Sequence, residues 1–246
     1  MIHTAVILGA GLGSRLNCQE KPKGFVELEK VSLIERSVKL LLSCGITRIV
    51  VGTGFQSYCY EELSQKYPQI ECIHNSEFSD SGSAYTLSLM GSQLEDDFLL
   101  LESDLLYERR GLFRLIDYPY SNVILASKNN DYGDEVFLDA TDDMCLKTMS
   151  KDRALHNNSA GILTGISKIS FDLFKSFLDV VDKQDHYEDV LIKLAKDHAI
   201  HICMDPEFKW CEIDTPEHLE IAKGIYNDIL NLDQKGDVRR NVLLTP

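Results

Sequence analysis

The sequence predicts an α/β protein: a Rossmann-like, mostly parallel sheet with helices on both faces and a small antiparallel insert. Three observations carry this expectation. The run Thr4-Ala5-Val6-Ile7-Leu8 is continuously apolar, as suits a strand buried on both faces. Apolar runs then alternate with helical stripes as far as Leu101. From about Asn122 to Ser167 the pattern changes to strand-like segments separated by turns.

The elements follow in order. The first strand runs into Leu8-Gly9-Ala10-Gly11-Leu12-Gly13-Ser14-Arg15, and Lys23 follows in Lys21-Pro22-Lys23. A glycine-rich turn after a buried strand sits at the carboxyl edge of the sheet, where such folds bind ligands. Gly9, Gly11 and Gly13 let backbone amides approach and point at phosphate oxygens, while Arg15 and Lys23 supply charge. G-x-G-x-x-G would need glycine where Ser14 stands, and G-x-x-x-x-G-K-[ST] has no match here, so a dehydrogenase or a P-loop protein is disfavoured.

Ser32 to Cys44 carries a helical stripe of Ile34, Val38, Leu41 and Leu42, ended by Gly45, and the strand Arg48 to Val51 completes a βαβ unit. A helix near Glu61 to Lys66, a strand at Ile70 to His74, a helix from Gly82 to Gln93 and a strand at Asp97 to Leu101 repeat the pattern. Such alternation implies parallel strands joined by right-handed crossovers. Val123 to Ala126, Val136 to Asp139 and Gly161 to Ile166 are assigned to a lid-like or antiparallel insert. Helices at Ser170 to Val181 and Tyr187 to Lys196 and a strand at His201 to Met204 follow.

Two acidic positions stand out. Asp104 follows the strand ending at Leu101, which puts it at the same carboxyl edge as the glycine loop, and a hard carboxylate oxygen there suits Mg²⁺. Asp214 precedes Thr215-Pro216; proline fits the first helical position, so Thr215 is the expected cap and Asp214 is freed for other work. The helix behind it presents Leu219, Ala222, Tyr226 and Ile229 on one face. Glu212, two residues before Asp214, shares its face of the strand and is placed to contact metal-bound water.

Composition narrows the class. The 246 residues carry 25 basic and 39 acidic side chains, a formal charge of −14, which argues against nucleic acid or an anionic membrane surface as partner. Phosphate binding is then local. Seven scattered cysteines without a C-x-x-C pair read as reduced thiols, and the chain opens directly into its first strand, so a cytoplasmic location is expected.

L-G-A-G-L-G-S-R-L followed by K-P-K resembles the G-x-G-[ST]-R-x(n)-P-K signature of the nucleotidyltransferases that make activated sugars, phosphocholine and related head groups from nucleoside triphosphates. The resemblance implies their nucleotide-diphospho-sugar transferase fold. It also implies that Leu8, Gly9, Ala10, Gly11, Gly13, Ser14 and Lys23 hold the triphosphate, with Lys23 on the α-phosphate and Arg15 on the departing pyrophosphate. Glu102-Ser103-Asp104 and Glu212-Ile213-Asp214-Thr215 resemble the family's metal segments, which makes Asp104 and Asp214 the expected Mg²⁺ ligands.

Asn75 to Phe78 and Ala160 to Ile166 resemble the phosphocholine cytidylyltransferase branch, which implies CTP as donor. Asp131-Tyr132-Gly133-Asp134-Glu135 then supplies carboxylates for a cationic acceptor, with Asp131 and Glu135 as expected contacts. That branch has N-E-W here; Val136 follows Glu135, so cation–π binding is weakened and a primary ammonium fits better than trimethylammonium. Ser81 and Ser83, flanking Gly82, are placed either to hold the cytosine ring or phosphonate or simply to cap a helix.

Residues 1–230 are assigned to the nucleotidyltransferase domain, and Asn231 to Asp237 to a polar linker. Arg239 to Pro246 resembles the opening of 2-aminoethylphosphonate transaminases, implying that 231–246 holds the linker and the start of a fused aminotransferase domain. The expected reaction is transfer of CMP from CTP to 2-aminoethylphosphonate. A phosphocholine or phosphoethanolamine cytidylyltransferase is the alternative, and a non-catalytic regulatory domain ranks last.

Overall fold

The structure, a computed structural model, describes residues 2–16, 20–128, 133, 135–155 and 159–243. Its strands are β1 (Thr4–Gly9), β2 (Glu27–Leu28), β3 (Val31–Ser32), β4 (Arg48–Thr53), β5 (Ile70–His74), β6 (Phe98–Glu102), β7 (Leu105–Tyr107), β8 (Val123–Ser127), β9 (Phe137–Ala140), β10 (Leu146–Ser150), β11 (Gly161–Ile169), β12 (His201–Met204) and β13 (Trp210–Glu212). The helices are α1 (Leu33–Ser43), α2 (Tyr58–Lys66), α3 (Ser83–Ser88), α4 (Arg110–Asp117), α5 (Phe171–Val180), α6 (Tyr187–Leu194) and α7 (Pro216–Leu243).

The expected Rossmann-like sheet is present. β1 lies between β4 and β6, parallel to both, and β5 extends the parallel half beyond β4. Side chains alternate between faces: Ala5 and Ile7 enter one hydrophobic cluster with Ile49, Val51 and Leu101, while Val6 and Leu8 enter another with Val50 and Leu100. Burial on both sides explains why the strand reads as an unbroken apolar run. Serines cap α1 and α5, with Ser32 and Ser170 accepting from Glu35 N at 3.3 Å and Leu173 N at 3.1 Å.

The insert is narrower than expected. β8 belongs to the main sheet, antiparallel to β11 and parallel to β12, because its residues are buried on both faces. Among the described residues of the insert, β9 and β10 form the antiparallel pair beyond this sheet core. β11 pairs with β6 through Ile166 to Ile169, and its earlier residues Gly161 and Ile162 run past the end of β6 to pair with β9. The insert therefore stands over the carboxyl edge of β6. Gly165, at φ 74°, lies in the register shift of β11, where a Cβ would come within 3.2 Å of the Glu102 carboxyl carbon.

The predicted linker is corrected as well. Residues 231–243 continue α7, because polarity alone does not separate a solvated helix from a linker. Asp233 is tied into the folded body: its Oδ2 accepts from Arg36 Nη2 at 2.8 Å and its Oδ1 from the Arg109 amide at 2.7 Å. No helix among the described residues is long and apolar enough to cross a membrane.

Removing the Asp233 carboxylate leaves the buried Arg36 guanidinium short of an anionic partner. Asp233→Ala is expected to cost about 3 kcal/mol of stability, read as a lowered urea midpoint. An unchanged midpoint would detach this turn of α7 from the folded unit.

Candidate active site

The site is built at the carboxyl edge by three chain reversals. The loop after β1, the segment after β6 and the turn after β13 meet there. Ser103 N donates to Leu8 O at 3.1 Å, locking the second of these against the first. β7 and β13 then pair antiparallel with Glu212 opposite Leu105, and Ile213 N donates to Asp104 O at 3.0 Å. This pairing brings Glu212 beside Asp104 across more than a hundred intervening residues, a contact that no local pattern encodes.

A cavity of about 290 Å³ opens between the loop and the starts of α3 and α6. Of the site residues named from the sequence, Leu8, Gly9, Ala10, Gly11, Lys23, Ser81, Ser83, Asp104 and Glu212 line it. Gly13, Ser14 and Arg15 do not; Ser14 to Leu16 forms a single 3-10 turn set back from it. Of the three loop glycines only Gly13 is left-handed, at φ 63°. Gly9 is required for a different reason, since a Cβ there would lie 2.5 Å from the Tyr60 hydroxyl.

Ser81 and Ser83 act in the framework. Ser81 Oγ accepts from Asn75 Nδ2 at 3.0 Å and donates to Glu77 O at 2.9 Å, and Ser83 Oγ accepts from the Tyr187 amide at 3.0 Å. Asn75, fully buried, also donates to Thr86 Oγ1 at 3.0 Å. Ser83 thus joins the start of α3 to that of α6.

The carboxylates divide into two groups. Asp214 is buried, with Oδ2 accepting from Arg15 Nη2 at 2.6 Å and Oδ1 paired with Lys23 Nζ. Lys23 Nζ lies 3.3 Å from Asp104 Oδ2 as well. The anticipated cap is present: His218 N donates to Thr215 Oγ1 at 3.3 Å. Both Asp214 oxygens therefore face cations. The carboxylates that gather as a candidate ion site are instead Glu102, Asp104 and Glu212, whose oxygens lie within 4.8 Å of one another.

Glu102 was missed from sequence because an acidic residue closing an apolar strand is ordinarily solvated. The available signal was its spacing of two from Asp104. The Tyr187 hydroxyl donates to Glu102 Oε1 at 2.6 Å.

Electrostatics mark the cluster as short of positive charge. Burial, then Glu188 and Asp104, push the Glu102 carboxyl up to about 8. Burial, then Glu102 and Asp104, raise Glu212 well above the ordinary carboxylate range. Hard oxygens converging where they repel one another fit a divalent cation such as Mg²⁺, which binds through one or two carboxylates and keeps waters.

A second cavity of about 70 Å³ adjoins the first, sharing Glu102, Lys151, Glu188 and Glu212 with it. Glu135 reaches it from the insert, and Trp210 and Val136 also line it. Asp131 lies outside the described residues.

A Rossmann-like sheet with a glycine loop, a lysine and an acidic cluster at its carboxyl edge defines the architecture of a nucleotidyltransferase. The chain belongs to the MobA-like NTP transferase domain family, which residues 5–152 match. It is 25% identical over 181 residues to the choline-phosphate cytidylyltransferase of Streptococcus pneumoniae, covering 73% of this chain and 75% of that protein. It is 26% identical over 249 residues to a bifunctional sugar-1-phosphate nucleotidylyltransferase/acetyltransferase of Sulfurisphaera tokodaii, covering 97% of this chain but only 59% of the relative's length. A 2-aminoethylphosphonate cytidylyltransferase of Lancefieldella rimae is 27% identical over 115 residues, 45% of this chain and 46% of that protein. The inositol-1-phosphate CTP transferase structure from T. maritima shares the fold at a TM-score of 0.80 and 17% identity, covering 93% of this chain and 96% of that one.

The raised carboxyls fix the sign of a pH dependence. Burial pushes Glu188 up to about 7, so between the ordinary 4.5 and about 8 the native site holds protons that the unfolded chain has released. Stability in chelator therefore falls as pH rises through that window. Melting at about pH 5.5 and about pH 7.5 is expected to show this fall, with a shallower slope in Glu102→Gln. Equal slopes in the two proteins would count against a raised Glu102.

Proposed function

We propose that this chain transfers a cytidylyl group from CTP to the phosphonate oxygen of 2-aminoethylphosphonate, giving CMP-2-aminoethylphosphonate and pyrophosphate. Membership of the family and the cytidylyltransferases among its relatives support the class of reaction. The observation that carries the acceptor is the second cavity: small, continuous with the loop cavity, and walled by Glu102, Glu135, Glu188 and Glu212. Its acidity suits a cationic arm, and its size disfavours a pyranose. The tail's resemblance to phosphonate transaminases points the same way, and a transaminase domain beyond it belongs to this proposal.

The acceptor oxygen is already anionic near neutral pH, so its attack on the α-phosphorus needs alignment and charge neutralisation rather than a strong base. The new oxygen–phosphorus bond forms as the α–β bridging bond breaks, and pyrophosphate departs with the electron pair. Lys23 neutralises the α-phosphate, and Arg15 with the amides of Gly9 to Gly11 holds the leaving group. Asp214 keeps both cations in place until the triphosphate takes them over. Asp104 with Glu212, rather than with Asp214, would hold Mg²⁺, which supplies further charge neutralisation when bound. Lys151 borders both cavities, which supports a role for it between acceptor and α-phosphate.

A phosphocholine reading draws on Trp210, an aromatic wall of the second cavity. The two part in a pyrophosphate-release assay with CTP and Mg²⁺, offering 2-aminoethylphosphonate, phosphocholine, phosphoethanolamine and a sugar 1-phosphate. Preferential turnover of 2-aminoethylphosphonate is expected; preference for phosphocholine would reject the phosphonate acceptor. Lys23→Ala and Asp104→Ala are each expected to lower kcat by about 10²- to 10³-fold, measured by the same release. Retention of full turnover in either variant would overturn its assigned role.

A further inference from the structure

The second cavity contains one carboxylate with an oxygen whose binding capacity is unspent. Glu102 Oε1 accepts from the Tyr187 hydroxyl, Glu135 Oε2 accepts from the Gly133 amide at 3.0 Å, and Glu212 belongs to the candidate ion cluster. Glu188 differs from all three. Its Oε2 is shut off from solvent and has no hydrogen-bond partner, although the side chain lines both cavities. A buried acceptor without a donor costs free energy unless a ligand supplies one, and a carboxylate costs more than a neutral group.

The backbone beneath it is held firmly. Glu188 sits in the first turn of α6, where His186 N donates to Asp189 Oδ2 at 2.9 Å and Tyr187 N donates to Ser83 Oγ at 3.0 Å. The side chain thus projects from a pinned helix start into a cavity of about 70 Å³, against about 300–1,000 Å³ for ordinary ligand pockets. Such a space takes a short arm ending in a compact cation with several donors.

We propose that Glu188 is the specificity-determining residue that receives the ammonium group of the acceptor. The proposal rests on the cytidylyltransferase reading and deepens it. An ammonium supplies the missing donor and the missing charge together, whereas an isosteric methyl group leaves the carboxylate buried and unpaired. Discrimination therefore comes mainly from the penalty on the wrong acceptor.

The experiment compares two matched pairs with CTP and Mg²⁺: 2-aminoethylphosphonate against propylphosphonate, and phosphoethanolamine against propyl phosphate. The readout is the ratio of kcat/KM within each pair, with a thermal melt verifying that Glu188→Gln is folded. The unsubstituted protein is expected to favour an ammonium member, and Glu188→Gln to lower that ratio by about tenfold or more. Glu188→Asp, which keeps the charge, is expected to retain part of the preference. An unchanged ratio in folded Glu188→Gln overturns the role of Glu188 and leaves the phosphonate reading standing. A preference confined to the phosphate pair, lost in Glu188→Gln, supports Glu188 and rejects the phosphonate acceptor. No preference in either pair, or no turnover of any member, overturns the inference.

Discussion

Carboxylates confined within 4.8 Å at the end of a buried sheet repel one another, and much of the architecture around the site answers that repulsion. Lys23 stands 3.3 Å from Asp104 and contacts Asp214, which Arg15 also pairs. Tyr187 stabilises Glu102 by a short hydrogen bond. Where these do not suffice, the carboxyls stay protonated well above their ordinary range. The site is thus set to take up positive charge.

The same constraint explains the placement of the cations. Arg15 and Lys23 both lie on a buried aspartate, Lys23 largely covered and Arg15 still half exposed. The two cations together satisfy both oxygens of the buried Asp214 carboxylate, which avoids the cost of an unpartnered buried ion. In a chain of net charge −14, local pairing of this kind lets an anionic substrate approach.

Topology supplies the second half of the site. β11 outruns β6, so β9 and β10 stand above the carboxyl edge and Glu135 reaches the cavity from the insert. α6, joined to α3 through Ser83, delivers Tyr187 and Glu188 from the opposite side. Two cavities of unequal size result, sharing a wall of carboxylates.

The sequence by itself determined the parallel sheet, the loop after β1, the capped helix behind Thr215, and the presence of Lys23 and Asp104 at one edge. These follow from period, strand burial and turn chemistry, which act over a few residues. It did not determine which acids meet. The β7–β13 pairing sets Glu212 against Leu105 and so beside Asp104, and the α6 start puts Tyr187 on Glu102. It pointed to Asp214 as an ion ligand and to a linker at 231–237, whereas Asp214 pairs with Arg15 and Lys23 and residues 231–243 continue α7, anchored by Asp233. Such contacts join residues far apart in the chain, and their energies depend on burial and mutual distance; only the packed tertiary structure decides either.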